Sequence, residues 1–393
     1  MSLSHKRSRQ RATLIGAAIG IVIIVTFVLS LIAPGSNRNK NSSPDDPFIT
    51  LFPTSTIVPT PEPDPQVVGG TPYIHRSGLF RVFRPSGQDW TLSENASVNA
   101  SAVASVVIQN PRRLVVVHNY IRPNVEYETP QALSENFLTP QHFAGAWQDY
   151  DHWEETARTI QDDKVIVDFQ LNQANITYTA RVAYWVQNGW LFVVRVVIPA
   201  NNPLLLDRLF TQVVAGFVVF DELMALPADW TAQVDQQFGY ILRHPNDWQH
   251  VAGDVGRPVT FTVQTDTGLL RVRTWAEPDQ PLADEDAARA WLAENRDNAE
   301  VLSVQETQRG EGAGFALAYT FTNTTGDPQS GLLLLLNDAA GTLFVADLQI
   351  PTAELDLLSA DTAETLDEAT LAARQALLDG FWVLAEDLRE TTE

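Results

Sequence analysis

The chain writes one architecture twice. Phe80-Arg-Val-Phe-Arg-Pro85, a polar turn and Trp90 return as Tyr240-Ile-Leu-Arg-His-Pro245, a polar turn and Trp248. VVIQNPRRLVVVHNYIRP from Val106 aligns without a gap on FTVQTDTGLLRVRTWAEP from Phe261, with Gln109 over Gln264 and Pro123 over Pro278. PQALSENFL after Thr129 and DEDAARAWLAEN from Asp284 follow. GWLFVVRVVIP from Gly189 then matches GTLFVADLQIP from Gly341, and VAGFVVF ending at Phe220 matches LDGFWVL ending at Leu384. Five blocks in one order over about 150 residues mean a duplicated domain, and the period is too long for a solenoid of short repeats. The expected limits are 71–222 for the first domain and 223–388 for the second, with the short connection 223–229 holding them close.

Inside each copy, the Val106 and Phe261 blocks read as strand, tight turn and longer strand. Leu133 and Phe137, and Ala287 and Trp291, fall four apart on one helical face. The central strands are expected at 176–186 and 332–336. The second is apolar on both sides, which requires cover on both faces of its sheet. LDEATLAARQALLDG precedes the last strand as a helix. The fold class that follows is α/β in the broad sense, more strictly α+β: two tandem α-β-α sandwiches with central antiparallel sheets, preceded by one transmembrane helix.

The opening signature, aromatic, hydrophobic, Pro, turn and Trp, leads into hairpin, helix, hairpin, helix and a closing Gly-Phe-hydrophobic strand. In this it resembles the PsbP-like family, which includes the extrinsic photosystem II protein, the Ran-binding Mog proteins and many bacterial envelope lipoproteins. The resemblance covers both copies and implies an α/β sandwich with a central antiparallel sheet and mainly non-enzymatic binding or assembly roles. The chain departs from the family in carrying an apolar helix where many relatives carry a lipid, and nothing in it points to photosynthesis or Ran.

That helix is TLIGAAIGIVIIVTFVLSLIA, Thr13 to Ala33, twenty-one residues without a charge. About twenty apolar residues cross a bilayer core. The basic segment HKRSRQR before it belongs on the cytoplasmic side, so the expected topology is a cytoplasmic tail 1–12, a single-pass anchor 13–33 and everything later extracytoplasmic. The run is longer than a signal-peptide core and ends Leu-Ile-Ala-Pro, which favours an uncleaved anchor. Gly16 and Gly20 form a GxxxG, a weak dimerisation pattern. Pro59, Pro61, Pro63 and Pro65 lie in a linker, 34–70, whose composition suits an extended polyproline stalk.

The net charge is −22, and the first forty residues carry six basic side chains and no acid, leaving −28 on the rest. An acidic body of this kind argues against nucleic acid as a partner. It leaves basic partners or cations open, although acidity in the first place confers solubility. Without cysteine, thiol chemistry, Cys-zinc sites and disulfides are excluded. HExxH, GxSxG, P-loop and EF-hand patterns are absent from the sequence. Gly310, Gly312 and Gly314 precede a strand, FALAYTF, and read as a loop rather than a nucleotide cradle. His142 and His152, with Asp149 and Asp151, have ligand-type side chains but read as a polar loop, and the acidic run 354–368 reads as a helix approach capped by Asp361. No metal and no cofactor are expected.

Two groups of residues remain as candidates. In the long strand of the first copy His118, Tyr120 and Arg122 share one face, matched in the second by Arg273 and Trp275. These five would line a ligand cleft if that face is open near its end. Phe143, Trp147, Tyr150 and Trp153 form an aromatic-dense segment without an equally aromatic counterpart in copy two, and are candidates for an exposed partner-binding patch. Trp90 and Trp248 read as core plugs. The expected function is a non-enzymatic, membrane-anchored binding or assembly protein of the cell envelope with a protein partner. A receptor-like small-molecule or cation binder is the alternative, and a hydrolase the third.

Overall fold

In the computed structural model the described residues are 69–95, 104–123, 125–251, 258–265 and 268–389. The 13–33 run and nearly all of the expected stalk lie outside them. Among the described residues no helix is long and apolar enough to cross a membrane.

The first half opens with β1 (Gly70–Ile74) and β2 (Phe80–Pro85), followed by β3 (Thr91–Asn95), β4 (Ala104–Asn110) and β5 (Val115–Arg122). A short helix α1 (Pro130–Ala132) runs on as a π-helical turn, Leu133–Phe137, and α2 (Pro140–Ala146) follows. Then come β6 (His152–Gln161), β7 (Lys164–Gln173), β8 (Ile176–Gln187), β9 (Trp190–Pro199), α3 (Pro203–Gly216) and β10 (Val218–Val219). Seven strands form one antiparallel sheet in the order β3-β4-β5-β9-β8-β7-β6, and β1-β2-β10 form a small second sheet. Asn202 accepts from the Leu205 N–H and Pro203 occupies the first turn, so α3 starts there. Its buried Leu205, Leu206, Leu209, Phe210 and Val213 make a single stripe against the even-numbered side chains of β9, Phe192, Val194 and Val196. The other face of the sheet is covered by the π-turn and α2 through Leu133, Leu138, Phe143 and Trp147.

The second half repeats this order. It contains β11 (Thr231–Asp235), β12 (Tyr240–His244), β13 (Gln249–Val251), β14 (Val259–Thr265), β15 (Gly268–Glu277), α4 (Glu285–Asn295), β16 (Glu300–Arg309), β17 (Gly312–Thr322), β18 (Pro328–Asn337) and β19 (Leu343–Ile350). The short α5 (Ala360–Ala363), α6 (Glu368–Leu378) and β20 (Phe381–Val383) close it. The sheets are β13-β14-β15-β19-β18-β17-β16 and β11-β12-β20. Ala288 and Leu292 of α4 pack on one face with Leu333 and Val345, and Ala373, Ala376 and Leu377 of α6 pack on the other with Leu334 and Leu348. The run 332–336 is fully buried, as double cover requires. The molecule is therefore α+β, with two seven-stranded antiparallel sheets.

Three expectations are corrected. The hairpin alignment is not gapless, because Ile108 pairs with Val117 whereas Val263 pairs with Leu270. The second copy's turn is shorter by two residues, an even number, so its side chains keep their faces. The cap of the last long helix is Asp367, which accepts from the Thr370 N–H, and not Asp361. The first strand starts at Gly70, one residue inside the expected stalk. The glycine triplet is a loop and strand start as expected. At Gly310, φ is 60° and a Cβ would lie 2.1 Å from the Val383 carbonyl oxygen, which only glycine accommodates.

The two halves fall within one compact unit. At their junction Arg243, with no exposed surface, donates from Nε to the Ser77 carbonyl at 2.8 Å and from Nη1 to Leu223 at 2.6 Å. Its Nη2 reaches the carbonyls of Pro227 at 2.9 Å and Trp230 at 3.3 Å. The Ala232 N–H donates to the Arg76 carbonyl at 2.8 Å. Ile74, Phe220, Leu223 and Leu226 pack into the core of the second half. Gly78, at φ 69°, lets the β1–β2 turn approach β11, where a Cβ would come within 2.8 Å of Ala232. Gly78→Val is expected to destabilise the protein by about 2–4 kcal/mol, from left-handed backbone strain plus overpacking. Urea unfolding measures this, and an unchanged midpoint would show that the junction is not close-packed.

Candidate functional site

The strand candidates sit on the long central strand of each half, β5 or β15, beside its antiparallel neighbour β9 or β19. In the first half His118 on β5 pairs with Arg195 on β9, and in the second Arg273 on β15 pairs with Asp347 on β19. Arg195 and Asp347 also stand over each other in the matching Gly189 and Gly341 blocks. The same position thus holds opposite charges in the two copies. Neither residue stood out among the candidates, although that aligned block contained the signal.

Around Arg195 the first half is closed. The guanidinium carbon lies 4.3 Å from the centroid of Trp147, and Nη1 donates to the Ala146 carbonyl at 3.2 Å. His118 and Tyr120 are half-buried, with ring centroids 5.1 Å apart, while Arg122 is exposed at the strand end. Burial, followed by the nearby Arg195 charge, lowers His118 to about 4, and the same two causes in the same order lower His142 to about 4. Both rings are neutral at physiological pH. Burial raises the Tyr120 and Tyr184 phenols. So His118 and Tyr120 are brought together, but under an aromatic cover instead of in an open cleft.

That cover is the aromatic segment. Phe143 and Trp147 are each 1% exposed, which corrects the expectation of an exposed patch. Phe143, Trp147 and Trp153 place their rings 4.8, 5.1 and 6.4 Å from Phe169 of β7, and Tyr150 stands 5.9 Å from Tyr178 of β8. Burying large rings stabilises more than exposing them, so α2 turns them onto the sheet. Arg158 on β6 holds this layer down by donating to the carbonyls of Ser134 at 2.6 Å and Leu138 at 3.0 Å. Tyr150 and Trp153 keep partial exposure.

The second half is hollow at the matching place. A cavity of about 90 Å³ is lined by Arg273, Trp275, Trp291, Arg296, Tyr319 and Asp347, among others. Asp347, 2% exposed, accepts from Arg273 and Arg296 at 2.5 Å each, from Gln349 at 2.7 Å and from the Tyr319 hydroxyl at 2.6 Å. Burial works to lower the Arg296 pKa, but the Asp347 carboxylate and Tyr319 more than offset it and the net shift is upward. Burial and then Asp347 raise the Tyr319 phenol well above its ordinary value. Such an arrangement can hold an anion or a water cluster.

Two further features went unrecognised in the sequence. Asp229, Asp247, Asp367 and Glu368 rim a groove of about 630 Å³ beside Trp230 and Trp248. At the junction, Ser77 Oγ lies 2.9 Å from His75 Nδ1, whose Nε2 lies 3.7 Å from Glu94. Serine, histidine and acid follow in the order of a hydrolytic triad, but with the two ring nitrogens exchanged. Both Ser77 and His75 are wholly buried, and the Ser77 N–H also donates to His75 Nδ1, so the group fixes the β1–β2 turn. His142 lies tilted 4.5 Å from Phe137 while His152 is exposed on β6, so these two histidines are not brought together. Among the described residues no group of His, Asp and Glu is placed to hold a metal ion.

No family model and no curated protein matches the chain. Solved structures give remote similarities. The solution structure of cyanobacterial PsbP (CyanoP) from Synechocystis sp. PCC 6803 is 12% identical over 39% of this chain and 94% of that one, with a TM-score of 0.30. A Bacteroides thetaiotaomicron VPI-5482 protein is 13% identical over 45% and 54%, at 0.27. The T6SS immunity protein TplEi of Pseudomonas aeruginosa, complexed with an "L" peptide, is 11% identical over 81% and 99%, at 0.21.

The buried histidines generate a pH dependence. Burial, only partly opposed by Glu94, lowers His75 from 6.5 to about 4, and His244 falls to about 4 mainly through burial. As the pH drops the unfolded chain takes up protons first. The stability these neutral rings confer is therefore complete above about pH 6.5 and is lost on the way down to about pH 4, with His75 contributing on the order of 3 kcal/mol. Thermal melts across that range should show a falling midpoint, with a shallower fall in His75→Asn. A flat profile would contradict neutral burial.

Proposed function

We propose that this is a non-enzymatic binding or assembly protein of the cell envelope. In this reading the 13–33 helix anchors the chain with its N-terminus in the cytoplasm, the 34–70 stalk extends outward, and each half is a PsbP-like α-β-α sandwich. The family reading rests on the repeated sequence blocks, and the order of strands and helices in each half is compatible with it. The observation that carries the functional reading is the charge exchange at one duplicated position, Arg195 against Asp347, with each side chain engaged by its own half. A reaction inherited by both copies would require like groups at like places. A hydrolytic site built on Ser77, His75 and Glu94 would need solvent at Ser77 Oγ, which is buried. The charge of −28 beyond the first forty residues suits a basic or neutral protein partner and disfavours nucleic acid.

A second reading, small-molecule binding, is favoured by the hollow beneath α4. For the leading reading, protease added to intact cells is expected to degrade the C-terminal halves, and crosslinking in the native membrane is expected to capture one protein stoichiometrically. Protection of the halves from external protease would reverse the topology. Turnover of generic ester, phosphate or peptide substrates by the purified chain, abolished by His118→Ala, would overturn the non-enzymatic assignment.

A further inference from the structure

We infer that the second half binds a small organic carboxylate in the cavity between α4 and strands β15, β17 and β19, with Arg273 and Arg296 as its cradle. Two guanidinium groups face one carboxylate there, so the wall carries one positive charge beyond what Asp347 neutralises. A nearby acid, Glu277, accepts the Trp275 indole N–H at 2.8 Å and is not part of the lining. The Nε of Arg273 is buried without an acceptor. A buried donor in that state is costly, and Arg195 Nε carries the same cost in the closed first half. The guanidinium fork matches a planar, two-oxygen anion better than a spherical one.

The remaining walls define the rest of the ligand. The Trp275 and Trp291 rings stand 6.2 Å apart at 34° and offer flat apolar surface to a short carbon chain. A cavity of about 90 Å³ has room for several water molecules and admits a carboxylate with a short tail. The first half shows the alternative, with the Trp147 indole lying directly over Arg195 at the equivalent place. In the second half the exposed Asn295 joins the cavity lining, and Arg273 and Arg296 lie farther from their rings, 5.7 Å from Trp275 and 5.5 Å from Phe321. Close packing disfavours such a void unless something occupies it.

This site is independent of the partner reading, and losing it would leave the crosslinking result unchanged. Titration calorimetry of sodium propionate into the full chain in mild detergent tests it, with sodium chloride at equal ionic strength as reference. Saturable one-to-one binding in the millimolar range or tighter is expected. It should weaken at least about tenfold in Arg273→Met, which leaves Arg296 on Asp347. Asn295→Phe keeps every charge, crowds the cavity lining and is expected to do the same, so it decides the matter if Arg273→Met does not fold. Heat of dilution alone, an equal response to chloride, or binding untouched by Asn295→Phe each overturns the assignment, the first meaning that the cavity holds only water.

Discussion

Arg243 is a guanidinium without exposed surface, and the carbonyls that receive it come from both sides of the junction: Ser77 from the first half, Leu223 and Pro227 from the connection, and Trp230 just before β11. Burial pulls its pKa down, and Asp229 offsets part of that shift. A buried charge of this kind is tolerated only when its donors are satisfied. Because those acceptors are carbonyls at fixed places, the side chain dictates where the β1–β2 turn and the connection must lie. Its own backbone N–H donates to Gly380, at the end of the last long helix. One residue thus ties together the opening turn of one half, the connection and the closing turn of the other.

A shared position can serve opposite ends once the surrounding layer changes. In the first half a short aromatic helix closes over Arg195 and converts the polar face of the sheet into core. In the second, a longer and more polar helix leaves two arginines and a buried carboxylate around open space. Duplication supplies two copies of one frame, and the helical layer between hairpins decides which becomes filler and which becomes a site. The triad-like Ser77, His75 and Glu94 follow the same logic, since their geometry is suggestive but their burial commits them to the turn.

Alternation along the long strand placed Val115, Val117 and Ile121 inward and His118, Tyr120 and Arg122 on the other face, because a strand's side-chain period is two and burial enforces it. The doubly covered run 332–336 and the helix from Asp284 were legible for similar reasons. What covers the polar face was not. Phe143 and Trp147 look alike in sequence whether they face solvent or sheet, and only the path of the chain after Thr139 decides it. The two-residue difference in the hairpin turn escaped because it is even and leaves the face pattern intact. Arg243 escaped because its acceptors are backbone groups, which carry no side-chain signature. Its counterpart in the first copy is Phe83.

The central claim is that the two halves are one cooperative body joined through Arg243. Hydrogen exchange on the full chain, wild type against Arg243→Met, tests it most directly by following amides of β8 in one half and β18 in the other. The account predicts that in the wild type both strands open with the same free energy, and that in the variant they separate, one strand exchanging first by a margin of about 2–4 kcal/mol. Wild-type strands that already open with different free energies, or a variant whose strands still open together at the wild-type value, would contradict it.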